Sequence, residues 1–391
     1  MNYILISPHF PENFKPFAKE LKNKGINVLG IGDEVYDNLG SDLQNSLTEY
    51  YKVNDLEHTI DVKKAVAHLF SKYGPIDRIE SHNEHWLELD AELREQFNVP
   101  GVRPADLKKT KFKSEMKKIF KQAGVPVVEG LVLNRVEELD SIISELSLPL
   151  IAKPDNGVGS AATYKLQNED EVRAFRNKFD GSTPYFIEQM IQSDRLGTYD
   201  GLIDGDGNIV FETSLIYSEP TLEFIDGKAE MAYIIQKDID PKLREYGRRI
   251  VKEFGMKERF FHIELFKMPD GDYIALEYNN RLAGNYAIDM YNFSHSINLF
   301  SEYASIVLGE PFKGSTGIDS KFCVGITQRD IHEYEHGVSD IELRFGDQIK
   351  LNERMPEAFS ELMGDHFFAV LADTKEDVDE IIEFIHQTKE Y

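Results

Sequence analysis

One cysteine, Cys323, is all that 391 residues contain. An intramolecular disulfide is therefore excluded, and a reducing compartment fits. Cys323 lies in the apolar run Phe322–Ile326 and reads as a small core residue. No apolar stretch approaches the roughly 20 residues of a membrane span. The opening Met1–Ser7 has no basic region and is too short for a signal peptide, so a cytoplasmic protein without a membrane partner is expected. Basic residues are scarce, 44 Lys and Arg against 69 Asp and Glu, for a formal charge of −25. That balance lacks the basic stripe a nucleic-acid partner requires. Any site for a phosphate-bearing ligand must be built locally, from a few lysines, arginines and backbone amides. The turn after the first apolar run is Ser7-Pro8-His9-Phe10, not a dinucleotide fingerprint. A Walker loop, a His/Cys set with zinc spacing and a nucleophile–base triad are also missing.

What is present is ordinary globular material, 41% hydrophobic and 29% charged, enough for two or three folding units with their own cores. Residues 1–105 alternate short apolar runs (Tyr3–Ile6, Val28–Ile31, Ile76–Glu80) with helical periods (Pro11–Lys24, Thr59–Tyr73, His85–Phe97). That alternation predicts an α/β domain on a parallel sheet, with a crevice at the strand carboxyl ends. From Pro104 the chain is lysine-rich, and Phe112, Met116, Ile119 and Phe120 keep helical spacing up to a stop at Gly124. Strands are expected at Val127–Leu133, Leu150–Lys153 and Tyr185–Glu188, with helices at Val136–Leu146 and Glu169–Lys178. An antiparallel meander over 199–235, helix Pro241–Phe254, strands Phe260–Lys267 and Tyr273–Tyr278, and helix His295–Leu308 come next. A mixed unit from about 313 ends with strand Phe367–Ala372 and helix Lys375–Gln387.

Three pieces carry chemistry. At the end of a strand, Glu277, Asn279 and Arg281 share a face by period two. A carboxylate and an amide oxygen are hard ligands that suit Mg²⁺, and an arginine beside them can grip phosphoryl oxygens. Pairing through the turn near Asp270 would bring Glu264 beside Glu277, although ion pairs at a sheet edge would also explain two acids there. Second, Lys153 ends a buried strand before the loop Asn156-Gly157-Val158-Gly159-Ser160, whose amides can form a phosphate nest; such a loop is also a plain turn. Third, the strand ending at Glu188 runs into Met190 and Ile191. This segment suits a hinge whose backbone meets an adenine edge while Met190 packs on the ring, or simple core packing.

In this order and spacing the pieces resemble the ATP-grasp superfamily, in particular its carboxylate–amine ligase branch with the carbamoyl-phosphate-synthase-like proteins. The resemblance spans roughly residues 1–312, through Lys113…Ala123-Gly124-Val125-Pro126, Ile151-Ala152-Lys153-Pro154, Tyr185-Phe186-Ile187-Glu188, Phe261–Phe266 and Glu277–Gly284. It implies a pre-ATP-grasp α/β domain (1–105), a two-lobed ATP-grasp domain (106–312, small lobe about 125–190, large lobe about 191–312) and a C-terminal α+β extension (313–391). It implies ATP and one or two Mg²⁺, or Mn²⁺, as cofactors. It also implies a small-molecule carboxylate and an amine as partners, with a homodimer through the first domain as a family-level expectation.

Residue by residue, Lys113 (with Lys111 as fallback) and Lys153 match the phosphate lysines. Gly157, Gly159 and Ser160 match the phosphate loop, and Glu188, Met190 and Ile191 the adenine hinge. Ile151 and Leu276 match the walls of the adenine slot. Glu264, Glu277 and Asn279 match the metal ligands, and Arg281 the residue that steadies the transferred phosphoryl group. The segment Gln192–Gly197 departs from the family's Gly-x-Glu after the hinge, so the ribose contact stays open, with Asp194 as a substitute. Acceptor-side roles for Asn285, Tyr286 and Asp289, or for His82, Asn83, His85 and Trp86, compete with capping and packing. Three activities remain: amide or peptide-like ligation, another ATP-grasp reaction such as carboxylation or formation of a carbamoyl- or formyl-type phosphate, and nucleotide binding without catalysis.

Overall fold

The computed structural model describes residues 1–156, 162–191, 193, 195–218, 230, 232–314, 320–355, 360 and 363–389. The chain builds three sheets. The first is parallel, β1 (Asn2–Ile6), β2 (Asn27–Gly32), β3 (Glu49–Lys52) and β4 (Arg78–Glu80), in the order β3-β2-β1-β4. The inner strands are apolar throughout, because helices such as Thr59–Tyr73 and Leu87–Gln96 cover the faces. Strand β3, Glu-Tyr-Tyr-Lys at the sheet edge, has no alternating pattern to announce it.

The second sheet is antiparallel, β5 (Gly130–Leu133), β6 (Leu150–Pro154), β7 (Tyr164–Leu166) and β8 (Tyr185–Gln189), in the order β5-β8-β6-β7. Helices Leu139–Leu146 and Glu169–Lys178 pack their apolar stripes on it.

The third sheet has nine strands. Five come from the meander and the segment after it: β9 (Leu196–Ile203), β10 (Ile209–Thr213), β11 (Leu215–Tyr217), β12 (Ala232–Ile235) and β13 (Arg259–Lys267). The rest are β14 (Tyr273–Asn279), β15 (Phe322–Gln328), β16 (Ile349–Arg354) and β17 (His366–Ala372). Their order is β14-β13-β9-β11-β12-β15-β17-β16, with β10 also on β9. The C-terminal stretch therefore mixes strands and helices as expected, and its strands hydrogen-bond into the large sheet, Ala232 to Ile235 of β12 pairing with Ile326 to Cys323 of β15. Cys323 is fully buried in that core.

One expected helix is two, and another starts later than expected and is preceded by an unexpected one. The lysine-rich segment forms Pro104–Lys111 and Lys113–Gln122, broken at the extended Phe112. The expected helix His295–Leu308 is Leu299–Val307, and helix Ala287–His295, which the sequence pattern did not announce, precedes it with a left-handed Ser296 between them. Asn298 caps the second of these by accepting from the Ser301 N–H.

Helix Pro241–Phe254 lies so close on β9 that a Cβ at Gly247 would sit 2.1 Å from the Tyr199 ring. Tyr199 is itself held, by Phe261 at 5.4 Å and by its hydroxyl donating to Glu212. Gly247→Ala gains about 1 kcal/mol of helix propensity and loses about 1–3 kcal/mol to overpacking. A lower apparent Tm is expected, and an unchanged or higher Tm would contradict the close contact.

Candidate active site

The split of the lysine-rich helix puts Lys113 at a helix start. Asp155, one residue beyond β6 and buried, caps the new helix start. The Ser114 N–H and hydroxyl donate to its two carboxylate oxygens at 2.8 and 2.7 Å, and the Lys113 N–H donates to its carbonyl at 2.8 Å. The segment bearing Lys113 is thereby tied to the strand bearing Lys153. The sequence pattern alone assigns Asp155 no role. The available signal was the acid that ends β6 together with Ser114 at a helix start.

Lys113 is 4% exposed, and its Nζ lies 3.3 Å from Glu277 Oε1. The fallback Lys111 instead ion-pairs with Glu88 of the first domain at 2.7 Å. Glu277 stands directly opposite Glu264 in the β13–β14 ladder, and Asn279 stands opposite His262. Beyond Glu264 the register shifts, so that Leu265 faces Ala275 and Leu276 is the extra residue of a bulge. A bulge re-aims a side chain. Leu276, which strict alternation would send to the core side, is half-buried and belongs to no core cluster. Ile151, Met190 and Ile191 are likewise half-buried and outside every core cluster. The Met190 N–H is already used, donating to the Pro149 carbonyl at 3.0 Å.

Glu188 is buried and forked between two lysines, Lys153 Nζ at 2.6 Å and Lys117 Nζ at 2.8 Å. Burial would raise its pKa, but Lys117 and Lys153 outweigh that and hold it at about 2. For Lys117 burial dominates and lowers the pKa. For Lys153 burial pulls down, and the surrounding carboxylates of Glu188, Glu277 and Glu264 carry it upward. Lys117 also donates to the Ala275 carbonyl at 3.3 Å, which joins helix Lys113–Gln122 to β14.

Behind Glu264 stands a buried relay. His262 Nε2 is 3.3 Å from Glu264 Oε1, and its Nδ1 is 2.7 Å from Asp200 Oδ1. The Tyr291 hydroxyl donates to the other Asp200 oxygen at 2.9 Å, and the Thr198 hydroxyl donates there too. Burial would lower the His262 pKa, but Asp200 and Glu264 push it up to about 9. For Glu264 burial pushes up, and His262, Arg281 and Lys153 bring it below the usual range.

Arg281 lies just past β14 and pairs with Glu84, in the turn after β4 of the first domain. The neighbours of Glu84 are otherwise engaged. His82 is buried and stacks on Phe17 at 3.9 Å, Asn83 caps the turn by accepting from the His85 N–H, His85 pairs with Glu57, and Trp86 packs on the first domain's core. The crevice residue that reaches the centre is thus Glu84, which the sequence reading passed over. Asp289 lies in the first turn of helix Ala287–His295 and accepts from Asn13 at 3.1 Å; burial raises its pKa to about 6. Tyr286 packs on Phe367. The expected phosphate-loop residues Gly157, Gly159 and Ser160, with Gln192 and Asp194, lie outside the described residues.

The arrangement gathers Lys113, Lys117, Lys153 and Arg281 around Glu188, Glu264 and Glu277, between the second sheet and the β13–β14 end of the third. The whole chain overlays on an L-amino acid ligase from Bacillus licheniformis with a TM-score of 0.73, 16% identity, and coverage of 98% of this chain and 97% of that one. It overlays on the ADP complex of an N5-carboxyaminoimidazole ribonucleotide synthetase with a TM-score of 0.74 and 16% identity, covering 98% and 96%. The fold is the ATP-grasp fold. In sequence this chain is 23% identical over 384 residues to an L-arginine-specific L-amino acid ligase of Bacillus subtilis, 92% of this chain and 91% of that one. No family model matches it.

Two hard carboxylates in register with an amide one pleat further on suit Mg²⁺ chemically. The Lys113 ammonium already at Glu277, and His262 at Glu264, mark the spot as one where positive charge is stabilised. Among the described residues no group of three His, Cys, Asp or Glu side chains is arranged to hold a metal ion by itself. Among the described residues no helix is long and apolar enough to cross a membrane.

Proposed function

We propose that the protein is an ATP-dependent, ADP-forming carboxylate–amine ligase, which joins its substrates through an acyl phosphate. The observation that carries the reading is the placement of Lys113, on Glu277, and Lys153, on Glu188, from two different elements beside the in-register pair Glu264 and Glu277. Phosphoryl transfer depends on positioning and charge neutralisation more than on covalent help from the protein, and this cluster supplies both.

In this reading Lys113 and Lys153 offset the charge of the nucleotide phosphates. Ile151, Met190, Ile191 and Leu276, which fill no core, form the slot for the base, and Glu188 fixes Lys153 beside it. Glu264, Glu277 and Asn279 would hold one or two Mg²⁺ ions, which when bound offset charge on the β- and γ-phosphate oxygens. His262 and Asp200 orient the Glu264 carboxylate. A substrate carboxylate oxygen bonds to the γ-phosphorus as the bond to ADP breaks, and Arg281 steadies the charge on the moving group. The amine nitrogen then bonds to the acyl carbon, loses its proton, and phosphate leaves. Arg281 must exchange Glu84 for this charge, which brings the first domain into the site. The single buried cysteine supports a cytoplasmic setting.

The similarity to an L-amino acid ligase makes paired amino acids the first substrates to test. ADP release is expected only when a carboxylate and an amine are both present with ATP and Mg²⁺. Release that needs bicarbonate or a biotinylated carrier would replace ligation with carboxylation. Nucleotide binding with no turnover across the panel would refute the enzyme.

A further inference from the structure

A cavity of about 370 Å³ lies beside Tyr3 of β1 and along β4, with neither Glu84 nor Arg281 in its lining; a smaller pocket that shares Glu80, Glu258, Arg259 and Tyr303 with it reaches Arg281. The walls of the larger cavity come from both halves of the molecule. Tyr3, Arg78 and Glu80 belong to the first domain, Lys109 to helix Pro104–Lys111, and Lys257 and Glu258 to the turn before β13. That volume is within the range of small-molecule sites. Arg259, on its floor, is five residues along β13 from Glu264, about 17 Å.

Its charge runs against the rest of the chain. The lining carries five basic groups (Arg78, Arg94, Lys109, Lys257, Arg259) and three acidic ones (Glu80, Asp106, Glu258), a formal +2 in a chain of −25. Each acid is already engaged, two of them by arginines of the same lining. Glu80 takes Arg94 at 2.9 Å and Arg259 at 2.8 Å, Glu258 takes Arg78, and Asp106 accepts the Arg103 N–H at 3.0 Å to cap its helix. Asp90 sits 3.9 Å from Arg94 on the side away from the cavity lining. The lysines are not neutralised in this way. Lys109 Nζ donates only to an uncharged partner, the Phe254 carbonyl at 2.7 Å, and Lys257 is exposed. Among the described residues neither has an acid within ion-pairing distance. Two ammonium groups at one concave, partly enclosed space, neither of them ion-paired among the described residues, favour an anion there.

We infer that this cavity is a second ligand site, distinct from the nucleotide centre, for a small multivalent anion bearing phosphate or carboxylate groups, held between Lys109 and Lys257. An anion there contacts the first domain and the large lobe together, so it binds the assembled protein better than the unfolded chain and stabilises it.

The test uses the full chain without nucleotide, titrated by calorimetry with citrate in one arm and pyrophosphate in the other, with the thermal shift read in parallel. Saturable binding of at least one probe and a rise in apparent Tm are expected. Lys257→Glu, at an exposed position where folding is not at risk, should weaken that binding by about tenfold or more, and Lys109→Met should do the same. Lys113→Ala, in the other centre, should leave it unchanged. Citrate alone binding assigns polycarboxylates, and pyrophosphate alone assigns phosphate compounds. Binding that survives Lys257→Glu but is lost in Lys113→Ala would place the anion in the nucleotide centre and overturn the inference, as would no saturation of either probe. Neither arm depends on turnover, so an inactive enzyme would leave this result intact.

Discussion

Glu277→Gln is expected to abolish ADP release while the protein stays folded. The substitution keeps the shape of the side chain and removes its charge. Glu277 is the middle of the proposed metal set, opposite Glu264 and one pleat from Asn279, and it is also the carboxylate against which Lys113 rests. An amide oxygen in its place cannot offset a divalent charge, so the triphosphate would be bound without the neutralisation that transfer requires. A loss of about 10²–10³-fold in turnover is expected, on the order of 3–4 kcal/mol in the barrier. Folding should be little affected, because the Glu277 side chain is still 18% exposed and Lys113 has further interactions. Coupled-enzyme detection of ADP beside a thermal melt distinguishes the two effects. Turnover within twofold of the parent would end the metal assignment.

The second large effect is on stability. Glu188→Gln leaves Lys117 and Lys153 buried around a neutral group, and removing one partner of a buried ion cluster costs about 3–5 kcal/mol. A multidomain chain does not unfold in one step, so the expected reading is an early transition, moved several degrees down, for the unit that contains β5–β8. Adding Lys117→Met to the variant should recover part of the loss, because the more deeply desolvated lysine is then gone. The pH dependence has a definite sign. Glu188 has its folded pKa depressed to about 2 from a usual 4.5, so its contribution is complete above pH 4.5 and disappears as pH falls toward 2. The parent should therefore lose stability through that acid window more steeply than Glu188→Gln. Parallel acid curves would mean that the carboxylate is not held by the two lysines.

Much of this was legible in the sequence, for physical reasons that differ from element to element. Helices Thr59–Tyr73, Glu169–Lys178 and Pro241–Phe254 have the expected bounds, because their apolar spacing and their start and stop residues agree. The Glu264–Glu277 pairing came from a short turn between two strands, which fixes register. The bulge that turns Leu276 out did not, since an extra residue in one strand leaves no mark on alternation. Asp155 and Glu84 act across 41 and 197 positions of chain, and a polar contact between distant segments has no period to reveal it. Lys117 was hidden among seven lysines of similar spacing; only burial distinguishes it from its solvated neighbours. The break at Phe112 has the same origin, for Asp155 supplies from outside the cap that a local reading looks for inside.

The large sheet runs without interruption from β14 to β16, and this governs how the molecule can be cut. Its last three strands are not a tail hung on a finished enzyme. They cover the flank of β12, whose Ala232 and Ile234 are buried against Val324, Ile326, Phe368 and Val370. A chain shortened before Phe322 would show that flank as a bare, oily, hydrogen-bonding edge, an invitation to its own copies. Fragments meant for crystallisation, complementation or fusion should therefore keep the final helix and strands, and seams between partners belong at the hairpin over Asp204–Asn208, where the backbone already turns in water.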